Sequence, residues 1–465
     1  MLQQAGAVCA RISRQVIPNP FIFAILLSTV VYALGVLMTD AGPFAMVEYW
    51  YEGFWNLLSF SMQMVAILLF GYVLASSPPA RRVVRWAAGL PRSAGQCIML
   101  VTALAVIFGF ISWGLGLIVG AIAAREVCAQ AKRRGIKVHY PLAAAAGFSG
   151  LIIFNCGLSA SAPLLVNTPG HFMEDSIGLV PVMDTIFALP NLLVITTFLI
   201  VIPFVYRAMH PEPEDTIEVP DDEADGAIDP ASATEVSSAQ RRSVGAAAVV
   251  QAPTFAERME HSMVLTWLIV VPGLSYVVYY FVTRGFDLDL NVVNFTLLIF
   301  GLMAYRTPIA YVNAIDEGIR ACGQIVLQFP FYAGIMGMMS GSGLITIFAN
   351  WLVSVSTAYT FPLMAMLSAG VVNIMVPSAG GQWAVQGPLL IEAARQIGAD
   401  VPATIMAFSY GDQLTNAIQP MWMLPLLGVT ALKARDIVGY TAVMMLVAFV
   451  IFGVGVTVLP PLFGS

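Results

Sequence analysis

The chain has 465 residues, 58% hydrophobic and only 10% charged, with a mean hydropathy of +0.82, whereas an ordinary soluble domain is roughly 25% charged. That balance excludes a soluble globular protein and describes a polytopic membrane protein embedded in a lipid bilayer. The net charge of −6 sits largely in one segment, 212–235, so it does not point to a nucleic-acid partner.

In chain order, Arg11 and Arg14 precede an apolar run, Phe21–Met38. The run is long enough to span a bilayer and has no small-residue cleavage site behind it, so it reads as a retained first helix after a cytoplasmic N-terminus at 1–17. A second crossing is expected near 54–76. The next apolar region, 94–133, is preceded by Arg81, Arg82, Arg85 and Arg92, and ends among Lys132, Arg133, Arg134 and Lys137. The positive-inside rule places both its ends in the cytoplasm. It is therefore expected to enter and return as a re-entrant hairpin with its tip at Ser112-Trp113-Gly114-Leu115-Gly116, where the backbone can be paired only by protein or water. Crossings near 141–164 and 180–205 complete a first unit, 18–206.

Residues 207–258 are rich in Asp, Glu, Pro, Ser and Ala and too poor in apolar residues to build a core. They read as a disordered acidic cytoplasmic linker. An extra helix at 259–283 follows, and then a second unit, 284–465. That unit carries crossings near 288–305, 323–342, 402–427 and 437–459, and a second hairpin at 360–397. With nine crossings and two hairpins, 18 of the 21 Lys and Arg residues fall on the cytoplasmic side. Arg284 and Arg395 fall outside, and Arg125 lies within the first hairpin. The C-terminus is then periplasmic.

A weak internal repeat joins the units. Glu52-Gly53, Gln63 and Ser77 recur as Glu317-Gly318, Gln328 and Ser342, each 265 residues later. Both units hold four crossings and a hairpin, and the single extra helix turns the second upside down. The expected fold is an all-α polytopic membrane protein of two inverted-topology repeats, each with a re-entrant helical hairpin and a broken transmembrane helix.

Two stretches interrupt apolar sequence with residues a membrane helix avoids. In 376–420 they are Pro377-Ser378-Ala379-Gly380-Gly381-Gln382-Trp383 and then Gly411-Asp412-Gln413-Leu414-Thr415-Asn416, up to Pro420. In the first unit the tip at Ser112 is followed by Asn155-Cys156-Gly157-Leu158-Ser159-Ala160-Ser161-Ala162-Pro163. Unpaired backbone and bare amides cannot face lipid, so these segments must line a cavity, and paired interruptions mark the site of a secondary transporter.

Half-helix N-termini, with about +0.5 of an elementary charge and free N–H groups, suit a carboxylate, while exposed carbonyls suit a cation. Substrate binding is therefore expected at Ser112, Trp113, Gly114, Gly157, Ser159, Ser161, Ser378, Gly380, Gly381, Gln382, Trp383, Thr415 and Asn416. A coupling ion is expected at Asp412, Asn416, Gln419 and Asn155. Close helix packing is the competing account of the glycines. Trp113 and Trp383 read as pocket walls, with interfacial anchoring as the alternative. Asp412 stands out because an ionisable group within a span must be paired, protonated or ion-bound. Glu126 and Glu392 read as support groups near the hairpin mouths.

Cys9, Cys97, Cys128, Cys156 and Cys322 have no ligand spacing, and the four histidines, His139, His171, His210 and His261, lie outside the apolar runs. No metal centre beyond an Na⁺ site and no resident cofactor is expected. An intramembrane enzyme is excluded by inventory. Lys132, Lys137 and Lys433 lie in loops, and a serine nucleophile would lack a base.

At these positions the chain resembles the short-chain fatty acid transporter family, within the ion-transporter superfamily of dicarboxylate and citrate carriers. The matching strings are SMQM at 61–64, GYVLASSP at 71–78, WGLG at 113–116, ARE at 124–126 and GLS at 157–159. They continue with TPGH at 168–171, QFPFYAG at 328–334, VPSAGGQWAVQGP at 376–388, Gly411-Asp412 and Gln419-Pro420. The resemblance covers nearly the whole chain outside the linker and departs at Asn155-Cys156, where relatives are expected to carry a more polar pair. It implies a homodimer in the bacterial inner membrane, a scaffold and a moving transport domain, and elevator-type alternating access. It implies cation-coupled symport of a small monocarboxylate such as acetoacetate or butyrate, with Na⁺ or H⁺ as the ion. A carrier for a dicarboxylate or other organic anion, and a passive anion channel, are the alternatives.

Overall fold

In hydrocarbon every backbone N–H must find its partner within its own segment, so apolar runs of this length become helices. The computed structural model describes residues 20–220 and 254–463, and among them every regular element is helical. By length and composition eight helices among the described residues can cross a membrane. A ninth is added if Ile325–Ser342 and Leu344–Ser354, bent by 80° at Gly343, count as one span.

The nine expected crossings are recovered unevenly. Phe21–Met38, Leu58–Ala75, Leu189–Ala208 and Ala434–Thr457 are unbroken helices of span length. Leu290–Tyr305 is apolar but shorter, and the crossing expected at 402–427 is divided between Val401–Leu414 and Pro420–Thr430. Ala94–Ile111 and Trp113–Arg133 are each long enough to cross. They nevertheless fold back on each other at Ser112 and form the most extensive helix pair in the protein.

Four short helices, Pro43–Gly53, Pro78–Ala88, Pro308–Gly318 and Leu344–Ser354, were not anticipated. The first three begin with proline in the first turn, where its missing N–H costs nothing. Pro78–Ala88 turns Val84, Ala87 and Ala88 inward and leaves Arg82 and Arg85 exposed.

Pro43–Gly53 packs on Gly323–Ser342, and Pro308–Gly318 packs on Leu58–Ala75. A second body is built from the hairpin at 94–133, the interrupted segment after Tyr140, and Leu189–Ala208. Phe361–Met375, Val401–Leu414 and Ala434–Thr457 complete it, while Ala379–Ile397 packs both on Val401–Leu414 and on Leu344–Ser354 and Gly323–Ser342. Glycine lets its elements touch through backbone: a Cβ on Gly120 would lie 1.9 Å from the Gly147 carbonyl oxygen.

Of the linker expected at 207–258, residues 221–253 lie outside the described residues. Both of its ends are described. A capping box between Thr254 and Glu257 starts the short helix Phe255–Glu260. Residues 208–219 lie against the second body and bury Val219 to 1% exposure. Their Ile217 N–H donates to the His139 ring, and the Ile217 carbonyl accepts from the Tyr140 N–H.

Candidate functional site

The site begins with two helices that cannot continue. Tyr140–Gly147 gives way to 3₁₀ turns at Phe148–Ile152 and Phe154–Cys156, becomes extended at Gly157, and restarts as Ser161–Val166. Val401–Leu414 passes into a 3₁₀ turn at Thr415–Ile418, becomes extended at Gln419, and restarts as Pro420–Thr430. Each break abandons helical hydrogen bonds, and side chains from the other break replace some of them. The Asn155 backbone N–H donates to Gln413 Oε1 at 2.9 Å, and Asn155 Nδ2 donates to Asp412 Oδ2 at 3.0 Å. Asn155 Oδ1 in turn accepts from the Ser161 N–H at 2.8 Å.

Asp412 is 1% exposed and its second oxygen, Oδ1, has no donor among the described residues. A buried carboxylate held by one amide is costly unless something else engages it. Nearby, Asn373 Nδ2 donates to Thr415 Oγ1 (2.9 Å) and Asn416 Oδ1 (2.8 Å), and Gln419 Nε2 donates to the Asn373 carbonyl (3.1 Å). Gln382 Nε2 donates to the Ala369 carbonyl (2.8 Å) and to Gln386 Oε1 (2.9 Å). The side-chain nitrogens of Asn155, Asn373, Gln382 and Gln419 are all used. The oxygens Asn373 Oδ1, Gln382 Oε1 and Gln419 Oε1 are not.

The hairpin tips close the site from two sides. At the first, the Trp113 N–H donates to Ser159 Oγ (3.2 Å) and the Leu158 N–H to the Phe110 carbonyl (2.7 Å), tying tip to break. This tip lies on Leu58–Ala75 at Gly71, where a Cβ would meet Ser112 Oγ at 2.5 Å. At the second, Ser378 Oγ caps Ala379–Ile397 by accepting the Gly381 N–H at 3.3 Å. Gly380 there lies against Met64 and Phe60.

Between tips and breaks is a cavity of about 710 Å³. Of the expected residues, Trp113, Gly114, Ser161, Ser378, Gly380, Asn416 and Gln419 line it. Ser112, Asn155, Gly157, Ser159, Gly381, Gln382, Asp412 and Thr415 do not, and stand behind the lining in the hydrogen-bonded and packed layer. Trp383 departs most from expectation. It is 0% exposed and packs edge-on to Phe408, ring centres 4.9 Å apart, so it is a core residue and not a pocket wall.

The second tryptophan of the cavity is Trp422, 5.8 Å from Trp113 and nearly perpendicular to it. Its position two residues after the Pro420 restart was the available signal. Gln328, Tyr72, Glu317 and Arg320 also line the cavity, Glu317 and Arg320 being exposed. They lie on helices outside the broken stretches, and Tyr72, Glu317 and Gln328 fall in the repeat or in the family strings, which mark a resemblance and not a pocket. Glu126 and Glu392 are half-buried on the second helices of the hairpins, and Glu392 accepts from Gln396.

The family model for the short chain fatty acid transporter matches residues 1–459. A candidate short-chain fatty acid transporter of Escherichia coli (strain K12) is 39% identical over 457 residues, 98% of this chain and 100% of that protein. One of Haemophilus influenzae (strain Rd) is 35% identical over 452 residues, 94% of this chain and 96% of the other. Among solved structures, the YdaH transporter of Alcanivorax borkumensis superposes with a TM-score of 0.54 at 16% identity. The match covers 94% of this chain and 98% of that one. At that identity the likeness concerns the fold alone.

Proposed function

The chain belongs to the short-chain fatty acid transporter family, and from that premise we propose that this multi-pass membrane transporter carries short-chain monocarboxylates such as acetoacetate or butyrate, coupled to a cation. Family membership makes it a transporter and not an enzyme. The observation that carries the substrate class is the cavity's two-sided chemistry. Ser161, Ser378, Asn416 and Gln419 offer polar contacts, and Gly380 lies in the first turn of the 19-residue helix Ala379–Ile397. Free N–H groups in such a turn favour a carboxylate. Met64, Phe154, Phe329, Trp113 and Trp422 supply apolar walls for a short alkyl tail.

The coupling ion we infer is Na⁺, held near Asp412 by the acceptor-rich layer with Asn373, Gln382 and Gln419. A proton would satisfy one acceptor of that layer, whereas a metal cation engages several oxygens at once. Asn155 and Asn416 already spend their side-chain oxygens on donors, so their part is to position the layer.

Element order supports the inverted repeat. Pro43–Gly53 and Pro308–Gly318 begin and end 265 residues apart (43 to 308, 53 to 318), the same offset as the sequence matches. Trp113–Arg133 packs on Pro420–Thr430, and Ala379–Ile397 packs on Ser161–Val166, so each hairpin meets the other unit's restarted helix. That exchange supports a moving body that slides as one piece against the helices around Leu58–Ala75 and Gly323–Ser342, with a homodimer to anchor them. Charge balance supports a cytoplasmic mouth near Arg320.

Reconstitution tests this reading. Purified protein in liposomes is expected to accumulate labelled acetoacetate above its external concentration under an inward Na⁺ gradient, and not under a pH gradient alone. Equilibration without accumulation would identify a channel. Competition by succinate and not by butyrate would identify a dicarboxylate carrier.

A further inference from the structure

We propose that His139 and His210 form a proton-sensitive clasp that holds the strap 208–219 against the hairpin-bearing body and releases it in acid. The argument rests on hydrogen-bond direction. The Ile217 N–H donates to His139 Nδ1 at 3.1 Å, and the His139 backbone N–H donates to His210 Nε2 at 3.1 Å. A backbone amide can only donate, so each of these ring nitrogens must be unprotonated. The hydrogen of neutral His139 then sits on Nε2, which faces Tyr440 Oη at 3.2 Å. That of His210 sits on Nδ1, which faces the Pro211 carbonyl at 2.8 Å. A second proton on either ring sets N–H against N–H and breaks the contact.

The same strap is held at two further points. The Tyr140 N–H donates to the Ile217 carbonyl at 2.8 Å, and Lys132 Nζ donates to the Val219 carbonyl at 2.7 Å. The strap's acids, Glu212, Glu214, Asp215 and Glu218, make no ion pair with either imidazole among the described residues, and Arg207 lies alongside Gly95. His139 is thus the buried titrating group of the clasp.

Burial, and then the neighbouring His210, push the His139 pKa down to about 4 from an ordinary 6.5. The folded value is depressed, so the closed clasp keeps its full stability above pH 6.5 and loses it as pH falls toward 4. Linkage from His139 alone shifts the closed-to-open ratio about 30-fold between pH 8 and pH 5.

The strap's position gives release a consequence. It continues Leu189–Ala208, which packs with Ala434–Thr457 in one body. The chain next enters Met263–Arg284, which packs on Leu290–Tyr305 in the other. Opening the clasp lengthens the tether between the two bodies.

Hydrogen exchange read by mass spectrometry on the full-length protein in nanodiscs tests this, with rates corrected for intrinsic pH dependence. Peptides over 208–219 are expected to lose protection at least tenfold at pH 5 relative to pH 8. In His139→Asn with His210→Gln, amide oxygens replace the two accepting nitrogens and nothing titrates, so protection is expected to persist at pH 5. His210→Lys, with a fixed charge at the less buried position, is expected to leave the strap open at both pH values. Equal protection of the unaltered strap at pH 8 and pH 5 would overturn the proposal. So would an unchanged opening midpoint in the double variant.

Discussion

The two halves of the site share a design, a hairpin tip against a helix restart, and differ in how they use their polar atoms. In the first half Ser159 Oγ takes the Trp113 N–H, Asn155 spends its backbone N–H and side-chain nitrogen on Gln413 and Asp412 across the site and its side-chain oxygen on Ser161, and the buried atoms left over, Ser112 Oγ and Ser149 Oγ, are hydroxyls. The second half leaves Asp412 Oδ1, Asn373 Oδ1, Gln382 Oε1 and Gln419 Oε1 without donors. Buried acceptors in that state are expensive. In the reading proposed above these acceptors await a cation, with the first half as the frame and the second as the receptor.

The largest test of that contrast is Asp412→Asn, which keeps shape and removes charge. Gradient-driven accumulation is expected to be lost altogether, with thermal stability retained. Undiminished concentrative uptake by the variant in liposomes would remove Asp412 from the coupling role. Next in size is the tryptophan comparison. Trp383→Ala empties a fully buried core position and is expected to cost about 3–5 kcal/mol of stability. Trp113→Ala, at the cavity wall, is expected to spare the fold and to raise KM about tenfold. Thermal melts and uptake kinetics on the same preparations separate the two effects.

Gly120→Ala probes the frame. With the Gly147 carbonyl 1.9 Å from the added Cβ, backbone has to move, at a cost of about 1–3 kcal/mol, seen as a lowered melting temperature. The smallest expected effect is at the rim. Arg320→Gln is expected to raise KM roughly threefold from one face of the membrane and to flatten its salt dependence, because an exposed charge steers an anion more than it binds it. An equal change from both faces would place Arg320 elsewhere than at a single mouth.

Much of this was legible in the sequence for local reasons. Charge near 81–92 and 132–137 predicted that 94–133 returns on itself, and Ser112 is where it turns. Proline, glycine and amides announced both breaks, because a membrane helix cannot leave its backbone unpaired. Trp113 and Gly114 line the cavity. The same reasoning misplaced Trp383, since adjacency to tip glycines says nothing about which way a ring points on a helix buried on several sides. Asn373 and Trp422 were passed over, one in an uninterrupted apolar helix, the other just beyond a break.

Composition and the placement of charge, glycine and proline by themselves determined the membrane class, the helical fold and the two places where helices fail. Each of those is a demand that a short stretch of backbone makes on its surroundings. Tertiary structure alone decided which groups meet: Asn155 with Asp412, 257 residues apart, and His139 with Ile217, 78 apart. The rotation of one helix against another chooses such partners, and it is settled by packing along the whole interface and not by any one segment.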